Sequence, residues 1–266
     1  CTSAALSWLH TYSFGVQFTP SFVPNLFLSL DYYNIKIEDV VGPIGGDNII
    51  SNCIASGSPV FCSAVKRNAQ GSLWRTDDGY ISDLNVNFGG LTAKGIDVRA
   101  AYSIQAGAAG KFKFDLTGTK AIESGVQPLT NGAKYDCVGF YGSNCGVPNP
   151  KWRHVFTTSW QTPLEGLDVQ VRWRYLGSVK TERASSDPQL RATFYPETAK
   201  FDAYNYFDLS ASYALTKTWG LRLGINNVLD KDPPIAPAGN IDQIVPEAPV
   251  TTAPAALPSV SPAGRR

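Results

Sequence analysis

Between Leu167 and Tyr175 the chain alternates strictly: Leu167, Val169, Val171, Trp173 and Tyr175 against Asp168, Gln170, Arg172 and Arg174. Successive side chains of a strand point to opposite faces, so this segment predicts a strand with one apolar and one charged face. The same period predicts seven further strands: Thr11 to Thr19, Asn25 to near Val41, around Ile96 to Tyr102, Phe112 to about Gly125, Trp152 to Gln161, Phe207 to Tyr213, and Leu221 to Asn226. Short and long links alternate between them. Pro20 to Asn25, Gly107 to Gly110, Pro163 to Gly166 and a turn near Lys217 are short, whereas 42 to 83, the stretch ending at Pro150, and 181 to 203 are long. Antiparallel neighbours joined this way put every short turn at one end of the sheet and every long loop at the other, as outer-membrane barrels do.

Within the first long link, GGDNIISNCIASG predicts a short helix starting near Asp47, and Asp77-Asp78-Gly79 a polar hairpin. Trp152 and Trp160 share a face eight residues apart, which is about 26 Å of strand and about 20 Å vertically at a tilt near 40°. That separation suits two aromatic girdles around an apolar band of about 25 Å. The fold class expected is all-β: antiparallel transmembrane β-barrel strands, about eight of them, with long extracellular loops and a disordered tail.

Composition narrows the function. At 43% hydrophobic and 12% aromatic residues, 266 residues can bury a large core, and a net charge of +1 gives no polyanion-binding signature, so no nucleic-acid partner is expected. No apolar run is long enough for a transmembrane helix, which leaves barrels untouched because their strands need only about 9 to 11 alternating residues. The chain has no methionine, and a processed product or a fragment is the expectation. CTSAALSWLH carries no secretion signal, and Cys1 reads as the start of a truncation rather than as a lipid-bearing cysteine.

Of five cysteines, Cys53 and Cys62 fall in one polar loop and Cys137 and Cys145 in another, which predicts two local disulfides in an oxidising compartment. A metal site would want tighter spacing and histidine partners, and His10 and His154 lie near neither pair. No catalytic constellation emerges. Gly142-Ser143-Asn144 is not a nucleophile elbow, and GPIGGDN lacks the lysine of a phosphate loop. Neither enzymatic activity nor a cofactor or metal is expected.

NLFLSLDYYNIKIEDVVG (25–42), GLTAKGIDVRAAY (90–102), NPKWRH (149–154), YFDLSASY (206–213) and LRLGINNVLDKDPP (221–234) resemble the C-terminal barrel region of TonB-dependent outer-membrane receptors. GIDV and NNVLDKDPP carry most of the specificity, matching a G-[IV]-[DE]-x strand and an N-[LIV]-x-[DN]-[KR] segment near the family's last strands. The resemblance implies that these strands are a segment of a larger barrel, one of about 22 strands with a plugged lumen, which takes a scarce nutrient (siderophore, oligosaccharide or similar) into the periplasm. The partners implied are outer-membrane lipid, an unknown small nutrient ligand, and the TonB complex through a plug domain not found in these residues. The family ends on an aromatic-rich strand, usually on Phe, whereas this chain ends PSVSPAGRR. The expected organisation is therefore an unpatterned N-terminus over 1–10, a partial outer-membrane β-barrel over 11–231 and a Pro/Ala-rich disordered tail over 232–266.

The polar faces put Asp97, Arg99, Lys113, Asp115, Arg153, Arg172, Arg174, Asp208 and Arg222 toward the lumen, where they touch substrate or plug, or pair with one another as a solvated wall. Loops held by a rigid scaffold are the better place for recognition. Trp74, Tyr80, Phe140 and Tyr141 are the aromatic candidates there, each with packing of its own loop as the alternative. Two other functions fit the same pattern: a small closed eight-strand outer-membrane barrel acting as an adhesin or structural protein, and a soluble secreted β-sandwich that binds carbohydrate.

Overall fold

The alternating segments become one antiparallel sheet in chain order. The computed structural model describes residues 7–73, 78–129 and 132–234, except the side chains of Phe88 and Thr198. Its strands are β1 (Trp8–Phe18), β2 (Leu26–Gly42), β3 (Val65–Lys66), β4 (Tyr80–Ile81), β5 (Val86–Gln105), β6 (Lys111–Gln127), β7 (Tyr135–Asp136), β8 (Phe140–Tyr141), β9 (Trp152–Gln161), β10 (Leu167–Leu176), β11 (Val179–Thr181), β12 (Lys200–Phe201), β13 (Tyr204–Ala214) and β14 (Gly220–Ile225). The long strands run in the order β1-β2-β5-β6-β9-β10-β13-β14, with β7 also paired to β6. Two small sheets, β12-β11-β8 and β3-β4, sit in the long loops, as do helices α1 (Gly46–Ser56) and α2 (Pro59–Cys62). The sheet is open, with β1 and β14 as its edges among the described residues.

Register fixes the faces. Val171 stands between Thr158 and Leu209, and Arg172 between Thr157 and Asp208, so each apolar row lies beside a polar row pointing the other way. The apolar face is bare: Leu30 is 56% exposed, Val171 41%, Leu209 40% and Leu223 64%. Among the described residues all eight buried hydrophobics (Ile49, Tyr135, Cys137, Val138, Tyr141, Val179, Leu190 and Ala199) belong to the long loops. A sandwich would bury one face of this sheet against a second. No second sheet covers the apolar face among the described residues, so the soluble two-layer alternative is not the architecture found.

The strands outrun the alternation that predicted them, because their two faces exchange character toward the long-loop end. On β2 the apolar row Leu28, Leu30 and Tyr32 continues as Asn34, Lys36 and Glu38, while the polar row Ser29 and Asp31 continues beyond Tyr33 as Ile35 and Ile37. Neighbouring strands change at the same level. Asn34 donates to the Tyr12 hydroxyl across β1, Lys94 pairs with Glu123 at 2.6 Å, and Lys134 bonds both Glu123 and Thr92. On the opposite side Ile35, Ala93 and Ser124 form one row and Ile37, Leu91 and Val126 the next. β6 keeps phase across this exchange with a bulge: Gly95 faces Ala121 and Lys94 faces Glu123, leaving Ile122 as the extra residue. A pattern matched to one polarity therefore misses Val86 to Gly95, the first half of β5. β1 likewise begins at Trp8, within the stretch expected to be unpatterned, and nearly all of the expected tail (235–266) lies outside the described residues.

Aromatic rings on the apolar face gather into two groups. Tyr102, Phe112, Phe114, Phe156 and Trp160 stack toward the short turns, and Trp152, His154, Trp173, Tyr175 and Phe207 group toward the long loops. Their indole N–H groups are all engaged: Trp160 donates to the Ala109 carbonyl at 2.7 Å, Trp173 to Asn205 at 2.8 Å and Trp152 to His154 Nδ1 at 2.9 Å. Trp160 thereby ties β9 to the short turn of a neighbouring hairpin. That turn depends on Gly110, where φ is +90° and an added Cβ would lie 2.1 Å from the Gln161 carbonyl oxygen. At Gly107, φ is +55° and nothing lies within 4 Å. Gly107→Ala should cost about 1 kcal/mol from the left-handed backbone alone. Gly110→Ala, which adds a backbone clash, should cost distinctly more, and denaturant midpoints of the two purified variants check that order.

Candidate functional site

Strand register places all nine predicted polar residues on the one face opposite the aromatic groups. Their spacing decides which can interact. Asp97, Thr119 and Arg153 form one row, Arg99, Thr117 and Arg174 another, and Asp115, Thr157, Arg172 and Asp208 the next. Within these rows the charges are largely consumed by each other. Asp208, 6% exposed, receives Arg172 Nε at 2.9 Å, Arg174 Nε and Nη2 at 3.0 Å each, and the Asn227 backbone N–H at 2.9 Å. Arg99 lies 3.7 Å from Asp115, and Thr119 donates to Asp97 at 2.7 Å. Toward the short turns Lys113, Gln161, Asp168, Gln170 and Arg222 line a shallow concavity of about 300 Å³, in which neither Lys113 nor Arg222 has an ion-pair partner among the described residues.

At the other end, the loops following β6 and β10 build a core of their own. Cys137 and Cys145 form a disulfide, and Tyr135, Cys137 and Leu190 are buried together with Val126 and Cys145 against them. β8, from the loop after β6, pairs parallel with β11, from the loop after β10, and the rings of Tyr141 and Phe201 stack at 4.4 Å. Glu182, 2% exposed, accepts from Ser143 Oγ at 3.1 Å, Asn144 N at 3.0 Å, Asn144 Nδ2 at 2.9 Å and Cys145 N at 2.7 Å. In the loop after β2, Cys53 and Cys62 are bonded, joining α1 to α2, and α1 ends at Gly57 with φ 63°.

A sequence profile described as TonB dependent receptor-like, beta-barrel matches residues 9–228. The chain belongs to the TonB-dependent receptor β-barrel family. No curated protein matches it in sequence. Among solved structures it is similar to the ferric enterobactin receptor PfeA of Pseudomonas aeruginosa in complex with enterobactin (TM-score 0.53, 14% identity) and to the FrpB iron transporter, F3-3 variant, of Neisseria meningitidis (TM-score 0.52, 11% identity). The first similarity covers 85% of this chain and 26% of PfeA, the second 87% and 28% of FrpB. The chain thus spans about a quarter of the length of these structures, and at such identity the likeness is one of fold.

In this receptor barrel segment the four aromatic loop candidates do not come together. Tyr141 is buried at 2% exposure and packs its own loop. Phe140 is half-buried on the opposite side of β8, and Tyr80 is exposed on β4 in a different loop. Trp74 lies outside the described residues. Both predicted disulfides form. Of the groups in this contact only Cys145 was predicted, as a disulfide partner, and Glu182, Ser143 and Asn144 were not. Gly142-Ser143-Asn144 beside Cys145 was the available signal, a turn of small residues closed by a cysteine, and it points to backbone donors rather than to a nucleophile.

Mass mapping of a non-reduced digest should find Cys53 with Cys62 and Cys137 with Cys145, each bond worth about 2 to 3 kcal/mol in the chain-entropy model. Loop stability should also depend on alkaline pH. Burial, with Glu182 and Asp187 nearby, pushes the Tyr135 phenol from 10.0 up to about 12. The folded loop then keeps a proton that the unfolded chain has released, so stability holds below pH 10 and falls between about 10 and 12. Tyr135→Phe removes that contribution. Its unfolding free energy should decline less than the parent's across the same interval in denaturant titrations.

Proposed function

We propose that this chain is part of the wall of a TonB-dependent receptor in a Gram-negative outer membrane, serving uptake of a scarce small nutrient. The bare apolar face meets lipid, the charged face lines the lumen, and the long-loop end faces outward. The observation that carries this is the absence of any buried hydrophobic residue among the described side chains of the eight long strands, together with exposed Leu30, Val171, Leu209 and Leu223 on one face. A water-facing sheet of this size would leave a large apolar patch uncovered. Hydrocarbon supplies the missing layer. The exchange of polarity then marks where the strands leave it, since the lipid-side row turns polar at Asn34, Lys94 and Glu123 while the lumen side turns apolar and packs against the loops.

The lumen wall is built mainly as a mutually neutralised surface, and we assign ligand recognition to the loops in preference to Asp97, Arg99, Asp115, Arg172, Arg174 or Asp208. Lys113 and Arg222, near the short turns, are left to meet the plug. Iron chelates head the panel of ligands to test, because the ferric enterobactin receptor and the iron transporter share this fold.

The facing is tested by two neighbouring substitutions. Val171→Arg should destabilise the inserted receptor by about 2 to 4 kcal/mol if Val171 sits near the midplane, and Gln170→Arg on the lumen side should be nearly silent. Equal effects in detergent or bilayer unfolding sink the assignment. Transport is tested by TonB-dependent uptake of iron chelates and oligosaccharides by cells producing the receptor that contains this chain. Uptake that persists without TonB removes the proposed energy coupling.

A further inference from the structure

We propose that Glu182 and the Cys137–Cys145 disulfide lock the second and third long loops into one recognition plate, an interaction surface that neither loop makes alone. The proposal rests on the assignment of recognition to the loops. Residues 142–146 form a tight turn closed by reciprocal backbone hydrogen bonds, Gly142 N to Gly146 O at 3.1 Å and Gly146 N to Gly142 O at 2.7 Å. Successive N–H groups on such a turn make a concave anion site. Here the anion is the chain's own: the Glu182 carboxylate, from the other loop, fills the concavity and takes four donors from Ser143, Asn144 and Cys145. The fit leaves no slack. A Cβ at Gly142 would stand 2.3 Å from Glu182 Cδ, so the turn approaches the carboxylate as closely as glycine permits.

The disulfide shapes the same contact. Cys145 donates its backbone N–H to Glu182, and its sulfur is bonded to Cys137, which is buried with Leu190 of the third loop. Two-residue strands such as β8 are too short to hold a parallel pairing unaided. Glu182 adjoins that pairing directly, one residue beyond β11, where Lys180 N donates to Gly139 O at 2.8 Å. The pairing sets one row across both loops, Phe140, Lys180 and Lys200. Val179, Thr181 and Tyr141 fill the buried side of the same small sheet, and the lysines are exposed. A ligand contacting this row needs both loops in register. Lys200 is paired with Asp202 at 2.7 Å, which leaves the Lys180 ammonium, with no ion-pair partner among the described residues, to meet an anionic group of the ligand.

Removing either member of the lock should release both loops. Hydrogen exchange by mass spectrometry on the purified receptor reads this directly for the parent, Glu182→Gln and the paired substitution of Cys137 and Cys145 by serine. Each variant is expected to speed exchange by about tenfold or more in both 139–146 and 179–190, with 46–62 unchanged. Faster exchange confined to 137–146 overturns the proposal, because the disulfide is then a local staple. Full protection in both segments of Glu182→Gln overturns it as well. Should the cysteine variant fail to fold, Glu182→Gln alone decides, since it keeps the shape and removes the charge. β9 and β10 are followed in the same spectra. Rapid exchange there in the parent would count against the barrel itself and is distinguishable from failure of the lock.

Discussion

A single layer of sheet has two surfaces and no interior, so apart from Val126 at the loop end of β6 the described residues of the eight long strands are held by no packed core. What holds them is the backbone ladder, and every side-chain role follows from its phase. Where water is excluded, each N–H and C=O must find its partner along that ladder. Alternation then decides which side chains meet which surroundings, residue by residue. Arg172 and Arg174 converge on Asp208 because they are two apart on one strand and Asp208 is opposite Arg172 on the next. Trp173, between them, necessarily points the other way.

This division of labour explains why, among the described residues, hydrophobic burial is confined to the loops. The strands supply position, and the loops supply the only compact hydrophobic packing among the described residues, around Tyr135, Cys137 and Leu190. Such small cores are marginal by area, and short-range cross-links are the common remedy. Both disulfides are found in the loops for this reason, and the buried Glu182 is tolerated because its donors are fixed by one of them.

Much of the sheet was legible because its signal is local. Leu167 to Tyr175 states its two faces outright, and β9 and β10 fall within a residue of the expected bounds. The first half of β5 was illegible for a physical reason: the two faces of the sheet exchange polarity along Val86 to Gly95, so a period that is intact in the backbone is broken in the side chains. Loop contacts were harder still. Nothing near Glu182 in sequence names Ser143, Asn144 and Cys145, which lie 37 to 39 residues away. The cysteine pairs were readable because each closes over so short a span.

The bulge at Ile122 gives β6 an unusual tolerance profile. By holding one residue out of the pairing it keeps Glu123 opposite Lys94, on the side where Lys134 also stands. Exchanging Ile122 for another side chain alters volume at a partly exposed point. Losing the residue would set Glu123 directly after Ala121 in regular register, still opposite Lys94, with Val126 still beside Leu91 and neither face exchanged. Removing Ser124 would instead turn Gly125 to Gln127 over, so a three-nucleotide deletion is mild at the bulge and grave two codons further on.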